Sequence, residues 1–329
     1  MRYTSNMALQ AAIMELESYG VEAADILRQE GLEHLLEPDG AERVVVSTAH
    51  QFLQLAQAAT GDPCFGINYG KHLHPTSFGA LGIALLSSID LTDFCTRLCH
   101  YYEVIATNHS LHFEQTEGQA WLEIRSEVSE LDPEVSRAII NAIMSFILKY
   151  IRDMSNGEYV PPKIEMMAAK VEGTEQRYFE CFGVWVIFSA DKNALYFDPS
   201  ELHTPLPAGD ASLSDFNEKL VEEYLRRTKK HDLSLRVYDA LLQALPSGNV
   251  TKETIADRFG MSLTAFHNQL DKAGTSYQQL LDEARRELAK IYFEKSMSIT
   301  DVSYLLGYSD SSNFTRAYKR WTGKAPSHR

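Results

Sequence analysis

From Val250 onward the chain writes one pattern twice, and that pattern narrows what this region can fold into. In the first copy Thr251 is placed to cap a helix with Ile255, Ala256 and Phe259 on one face. Gly260 supplies a left-handed turn, and Ser262 caps a second helix carrying Phe266 and Leu270. In the second copy Ser298-x-x-Asp301 reads as a capping box ahead of a helix that buries Ile299, Val302, Leu305 and Leu306. Gly307 closes that turn, and Ser309 or Asp310 caps a helix that buries Phe314, Ala317, Tyr318 and Trp321. A long helical stretch, "SYQQLLDEARRELAKIYFEK", lies between the copies, and nothing from Leu233 onward has the alternation of a strand. Two short helices joined by a glycine turn make a helix-turn-helix. One such pattern is weak evidence; two flanking one long helix predict an all-α domain with two helix-turn-helix units.

The burial pattern leaves Ser311, Ser312, Thr315, Arg316 and Lys319 facing outward in the second copy, and Thr264, His267 and Asn268 in the first. A helix that enters a major groove needs short side chains near its start, so that the backbone can approach. It also needs a donor fork for guanine O6 and N7, and cations for the flanking phosphates. The stretch from Asp310 to Asn313 is expected to offer free backbone N–H groups to a phosphate. The plain alternative is that "SDSSNFTRAYKRW" is a solvated amphipathic helix and nothing more.

The formal net charge of −14 argues against a polyanionic partner until it is divided along the chain. Leu233 to Arg329 carries 13 Lys and Arg against 10 Asp and Glu, whereas residues 1–232 carry 18 against 35. A mildly basic tail on an acidic body confines any nucleic-acid contact to the tail. At 329 residues the chain exceeds the size at which one core keeps growing, so two domains are expected. There is no apolar run of membrane-spanning length and no signal-peptide pattern at the N-terminus. Four scattered cysteines make no disulfide framework, which points to a reducing cytoplasm.

The first two thirds read as α+β. "QAAIMELESYG", "STAHQFLQLAQAA" and "LTDFCTRLCHYYEVIATN" have helical spacing, and "SLHFEQTEGQAWLEIRSEV" alternates like two strands joined at Glu117-Gly118. Asp132, Pro133 and Glu134 predict the start of a long helix, and "KIEMMAAKV" and "ALYFDPS" predict further strands. The Pro/Gly/Ser cluster from His203 to Asp215 marks a boundary, followed by a charged connecting helix. The resulting expectation is residues 1–210 as an α+β sensing or dimerisation domain, 211–232 as a linker helix and 233–329 as the DNA-binding domain.

No G-x-S-x-G, P-loop, H-E-x-x-H or G-x-G-x-x-G element occurs, so no enzyme is indicated and no cofactor is called for. Histidines 72, 74, 100, 109 and 112, with Cys95 and Cys99 one turn apart, raise a metal-sensing alternative. A compact second pair of ligands is missing, and a buried helical cysteine is commonly plain core. Phe78, Tyr101 and Tyr102, with Phe113 and Trp121, are candidates to line an effector pocket, against ordinary core packing.

Ile299, Gly307-Tyr308-Ser309-Asp310, Phe314, Arg316, Tyr318-Lys319-Arg320, Gly323 and Pro326 resemble the DNA-binding domain of AraC/XylS-type transcription regulators. The resemblance implies a seven-helix domain whose two recognition helices enter successive major grooves of promoter DNA. By position, Ser312 and Arg316 would read bases and Lys319 would lie nearer the backbone. The first recognition helix departs from the pattern: "SLTAFHNQLDK" has Lys272 as its only base where relatives commonly carry arginine, although Asn268 suits adenine. A weaker first unit is therefore expected, and His328 in place of a frequent aromatic predicts a short last helix.

The body has a resemblance of its own. "HPTSFGALGIALLSSIDLTDFCTRLCHYYEVI" and "FECFGVWVIFSADKNALYFDPSELHTPLP" resemble the arabinose-binding-type sensory domain of one branch of that family. The implied function is a cytoplasmic regulator controlled by a small-molecule effector, acting on promoter DNA with RNA polymerase as partner. A homodimer, in which the first domain only dimerises and no effector acts, is the competing reading.

Overall fold

In a computed structural model the chain divides into two compact units, Arg2–Tyr224 and Leu225–Arg329. The described residues are 2–36, 43–127, 132–157, 159–231, 233–247, 250–273, 275–295, 297–322 and 324–326. Gly323 and His328, named above, lie outside them.

The first unit opens with strand β1 (Tyr3–Ser5), helices α1 (Asn6–Ser18) and α2 (Ala23–Gln29), strand β2 (Arg43–Val45) and helix α3 (Val46–Thr60). Helices α4 (Phe65–His72), α5 (Gly79–Leu86) and α6 (Leu91–Tyr101) follow, then the hairpin β3 (His109–Gln115) and β4 (Ala120–Ser126). Helix α7 (Pro133–Met154), strand β5 (Ile164–Met166), helix α8 (Glu175–Phe182) and strands β6 (Val186–Phe188) and β7 (Asn193–Phe197) complete it, with the first part of α9 (Ala211–His231). Five strands form one sheet in the order β3-β4-β7-β5-β6, antiparallel except for β5 against β6. That parallel pair is joined through α8, as parallel strands require a crossover. The short β1–β2 pair was not legible as strands in the sequence; three residues each are too few to show alternation.

Helix α7 is the centre of this unit and is buried along most of its length. Asp132 accepts hydrogen bonds from the Glu134 and Val135 amides at 2.9 and 3.2 Å, and Pro133 occupies the first turn, as the sequence predicts. Its neighbour α4 comes in at backbone contact. A Cβ on Gly66 would lie 2.1 Å from the Ala138 carbonyl oxygen, and one on Gly70 would lie 2.7 Å from that of Ala142. No residue but glycine allows α4 and α7 to approach this closely.

Helix α9 starts at Ala211, inside the Pro/Gly/Ser cluster, and its first half is docked. The Arg97 guanidinium, itself buried, is held by Asp93 at 2.9 Å and by Glu218 of α9. Ser214 donates to the Ser87 carbonyl at 2.7 Å. The compact units consequently divide inside the helix, between Tyr224 and Leu225.

The second unit holds the last part of α9, from Leu225, and then α10 (Leu233–Ala244), α11 (Lys252–Arg258), α12 (Leu263–Lys272), α13 (Tyr277–Glu294), α14 (Ile299–Leu305) and α15 (Ser311–Thr322). Among the described residues, six α-helices and one 3-10 turn at Leu245–Ser247 follow α9. The implied seventh helix would begin at the end of the chain, where residues 327–329 lie outside the described ones. One hydrophobic core runs from Leu233 and Val237 through Ile255, Phe266 and Leu280 to Val302 and Phe314. Both helix-turn-helix units are thus faces of a single folded body.

Candidate nucleic-acid interface and an apolar cavity

The second helix-turn-helix is built as its sequence predicts. Ser298 accepts from the Asp301 amide at 3.1 Å and donates to its carboxylate at 2.6 Å. Gly307 sits at φ 75°, a conformation that disfavours side chains with a Cβ. The buried Ser303 hydroxyl donates to the Asp310 carbonyl at 3.1 Å, and Arg285 donates to the Leu306 carbonyl at 2.9 Å while stacking on Tyr308. These bonds fix the angle between α14 and α15. Phe314 is fully buried among Phe293, Tyr308 and Tyr318, which anchors α15 along its inner face.

Ser312, Arg316 and Lys319 are exposed on the opposite face; Ser311 and Thr315 are half-buried, and Thr315 donates to the Ser311 carbonyl at 2.7 Å. Arg316 is not free-swinging. Its guanidinium donates to the Asn313 side-chain oxygen at 2.7 Å, and the Asn313 amide in turn donates to Asp310 at 2.8 Å. Asp310, rather than Ser309, is therefore the cap. The Asn313 and Ser312 backbone amides hold the Asp310 carboxyl below its ordinary range. The expectation of an open phosphate site at this helix start is not met, because the carboxylate already occupies the amides a phosphate would use.

The first helix-turn-helix has the same frame with a different surface. Thr251 and Thr254 form a reciprocal capping box, Gly260 sits at φ 65°, and Ser262 accepts from the Ala265 amide at 3.2 Å. Phe266 and Leu270 are fully buried. Thr264, His267 and Asn268 are exposed together on the outer face, but His267 lies 3.3 Å from Asp271. Lys272 is exposed at the C-terminal end of this helix. The outer face of α12 thus presents hydroxyl, amide and imidazole groups, where α15 presents a guanidinium and an ammonium.

In the first unit a cavity of about 70 Å³ lies between α1, α3, α4, α7 and the start of β3. Leu9, Ala12, Leu53, Tyr69, Ile143 and Phe146 give it an apolar wall. Of the five aromatics expected to face a pocket, Phe78 and Tyr102 line it. Tyr101 does not; its hydroxyl reaches Glu222 of α9 at 3.3 Å. Phe113 and Trp121 pack against Phe197 and Tyr196 within the sheet. Two lining residues that sequence reasoning did not single out for a pocket are His50 and His109. For His109 a signal existed: His109, Leu111 and Phe113 share one face of β3 by alternation, and Leu111 is core. Burial pushes both imidazoles down to about 4, so both are neutral at physiological pH.

Among the described residues no cluster of three or more His, Cys, Asp or Glu side chains is placed to hold a metal. Cys95 and Cys99 lie one turn apart on α6, and burial pushes both thiols up, which keeps them protonated. No described helix is long and apolar enough to cross a membrane.

Comparison with known proteins agrees with both halves of this architecture. Residues 20–206, more than half of the chain, match the family model described as the arabinose-binding domain of AraC transcription regulator, and residues 255–328 match a helix-turn-helix domain. The chain is 29% identical to the ornithine utilization regulator of Pseudomonas aeruginosa, over 84% of this chain and 81% of that one. It is 36% identical to the transcriptional activator RhaS of Escherichia coli over 22% of this chain and 26% of that one. The crystal structure of the transcriptional regulator CdpR from Pseudomonas aeruginosa covers 93% of this chain and 95% of its own, at 18% identity and a TM-score of 0.45. These relatives are named as transcription regulators. The chain belongs to the AraC family of DNA-binding transcription regulators, with an arabinose-binding-type domain ahead of its helix-turn-helix domain.

Proposed function

We propose that this chain is a sequence-specific promoter-binding regulator that reads bases through α12 and α15 and is controlled by a small molecule held in its first unit. The observation that carries the reading is the pair of capped, glycine-turned helix pairs on one core, each with its outer face left exposed. In the second helix-turn-helix Arg316 offers the fork that suits guanine O6 and N7, Ser312 allows close approach, and Lys319 holds a phosphate. In the first helix-turn-helix Asn268 suits adenine, with Thr264 and His267 beside it and only Lys272 for the backbone. We therefore assign most of the affinity to the second helix-turn-helix.

Functionally, residues 1–210 sense, 211–232 link and 233–329 bind DNA. An effector can shift promoter binding only by its own differential affinity for two arrangements of the protein. The relative named for ornithine utilization supports control linked to a small metabolite, and the one named an activator supports contact with RNA polymerase. The reading places the protein in the cytoplasm, where its promoters are, and does not require catalysis.

The test is selection of fragmented genomic DNA by the purified full-length chain, followed by sequencing. Two sequence blocks about one helical turn apart are expected, the more constrained block belonging to α15. A tail that binds DNA without any sequence preference would overturn the reading.

A further inference from the structure

The cavity of the first unit contains an unanswered polar group. His109 is 3% exposed, lines the cavity, and has no hydrogen-bond partner for either ring nitrogen. His50 lines the same space, and its buried Nε2 is also without a partner. The two rings are close enough for His50 to influence the charge of His109. Each neutral imidazole has one N–H donor and one bare acceptor nitrogen. A buried polar group left without a partner costs stability, and such cases are rare in native proteins. The rest of the wall gives no compensation in charge: among the described residues, no Asp, Glu, Lys or Arg lines the cavity.

Resting on the sensory reading above, we propose that this cavity is the effector site and that it takes a small neutral molecule, whose short aliphatic body carries one head group that both donates and accepts a hydrogen bond, such as a primary amide or an alcohol. The head group pairs with His109 and His50, and the body lies against Ala12, Leu53 and Ile143. An ion is disfavoured because no charged side chain among the described lining residues balances its charge. An engineered apolar cavity of about 150 Å³ holds benzene, so about 70 Å³ admits something smaller.

Phe78 gives occupancy a consequence. It lines this cavity and also a neighbouring groove of about 330 Å³ bordered by Val221 and Tyr224 of α9. It stacks edge-on against Phe146, and the next residue, Gly79, has φ 53° and ψ −129°, a backbone state that other residues rarely adopt. A ligand that displaces Phe78 alters the surface on which α9 lies.

The experiment measures binding of propanamide, its charged isostere propanoate and L-ornithine to the full-length chain by saturation-transfer NMR. The variants are Ala142→Leu, which fills the cavity, and His109→Phe, which removes the head-group partner at similar volume. Saturable millimolar binding of propanamide is expected, absent in Ala142→Leu and at least tenfold weaker in His109→Phe, with both charged probes at least tenfold weaker than propanamide. The unliganded His109→Phe chain should also melt higher than wild type, which separates lost binding from lost fold. Tighter binding of propanoate or ornithine, equal binding of propanamide to Ala142→Leu, or no propanamide binding (the cavity then holding water only) would overturn the proposal. The sensory reading is tested separately, by promoter binding with and without metabolites. If propanamide binds as expected but no compound alters DNA binding, the sensory reading falls and the site stands. If a metabolite alters DNA binding equally in Ala142→Leu, the sensory reading stands and this site falls.

Discussion

The two helix-turn-helix units share a frame and differ in what they place around it. Each has a capped first helix, a glycine in the left-handed region, and an outer helix fixed by one fully buried phenylalanine, Phe266 in α12 and Phe314 in α15. Around Phe314 stand Phe293, Tyr308 and Tyr318, whereas Phe266 has a ring contact with Tyr277. Outside, α15 carries Arg316 and Lys319 where α12 carries Asn268 and a His267 that faces Asp271. The comparison separates two requirements that a sequence motif merges. The frame is needed to present a helix at all, and the outward residues decide how strongly and to what it binds.

The largest expected effects come from breaking the anchors. Phe314→Ala should cost about 3 to 5 kcal/mol, the range for a buried aromatic truncated to alanine, and Phe266→Ala should fall at or below the lower end. Urea unfolding followed by circular dichroism measures both. A larger loss at Phe266 would mean that the aromatic cluster is not what distinguishes the units.

Next come the reading residues, measured as affinity for the selected DNA. Arg316→Ala should weaken binding by about 1 to 3 kcal/mol, roughly fivefold to a hundredfold or more, and relax preference at one base position. Asn268→Ala should lose less, and Lys319→Ala should weaken all sequences alike while reducing the salt dependence by about one phosphate contact. Equal losses for Arg316→Ala and Asn268→Ala would remove the asymmetry proposed here.

The smallest effect is in the caps and is expected at α15 but not at α12. Hydrogen bonds hold the folded Asp310 carboxyl below its ordinary value of 3.8, so its contribution is present above that value and is lost as pH falls through the folded one. Ser262 does not titrate. Acidification should therefore fray the start of α15 before that of α12, read as faster amide exchange at Asn313 than at Ala265. Asp310→Asn, which keeps a good capping side chain, should remove the difference.

Much of this second unit was legible in the chain because its determinants are local. Thr251, Ser262 and Ser298 cap by reaching three residues ahead, and Gly260 and Gly307 set a turn by their own φ. The cap at Asp310 was narrowed only to two residues, since Ser309 and Asp310 are both competent and the choice depends on where the chain enters the helix. In the first unit the hairpin β3–β4 and the start of α7 were readable for the same local reasons. The linker helix was readable as a helix, but its docking through Arg97 and Glu218 was not, because those residues are over a hundred positions apart.

What the sequence determined by itself was whatever a short stretch can settle without the rest of the molecule: helix and strand periods, caps, turns, and the division into an acidic α+β body and a basic helical tail. The tertiary structure alone decided which side chains share a space. Gly66 and Gly70 bring α4 against α7, Phe78 separates a cavity from a groove, and His50 and His109, far apart in the chain, meet in an apolar wall with no partner of their own. Periodicity says which face of an element turns inward, but a void forms only where several inward faces fail to fill the space between them. That is a property of their sum, and no single segment encodes it.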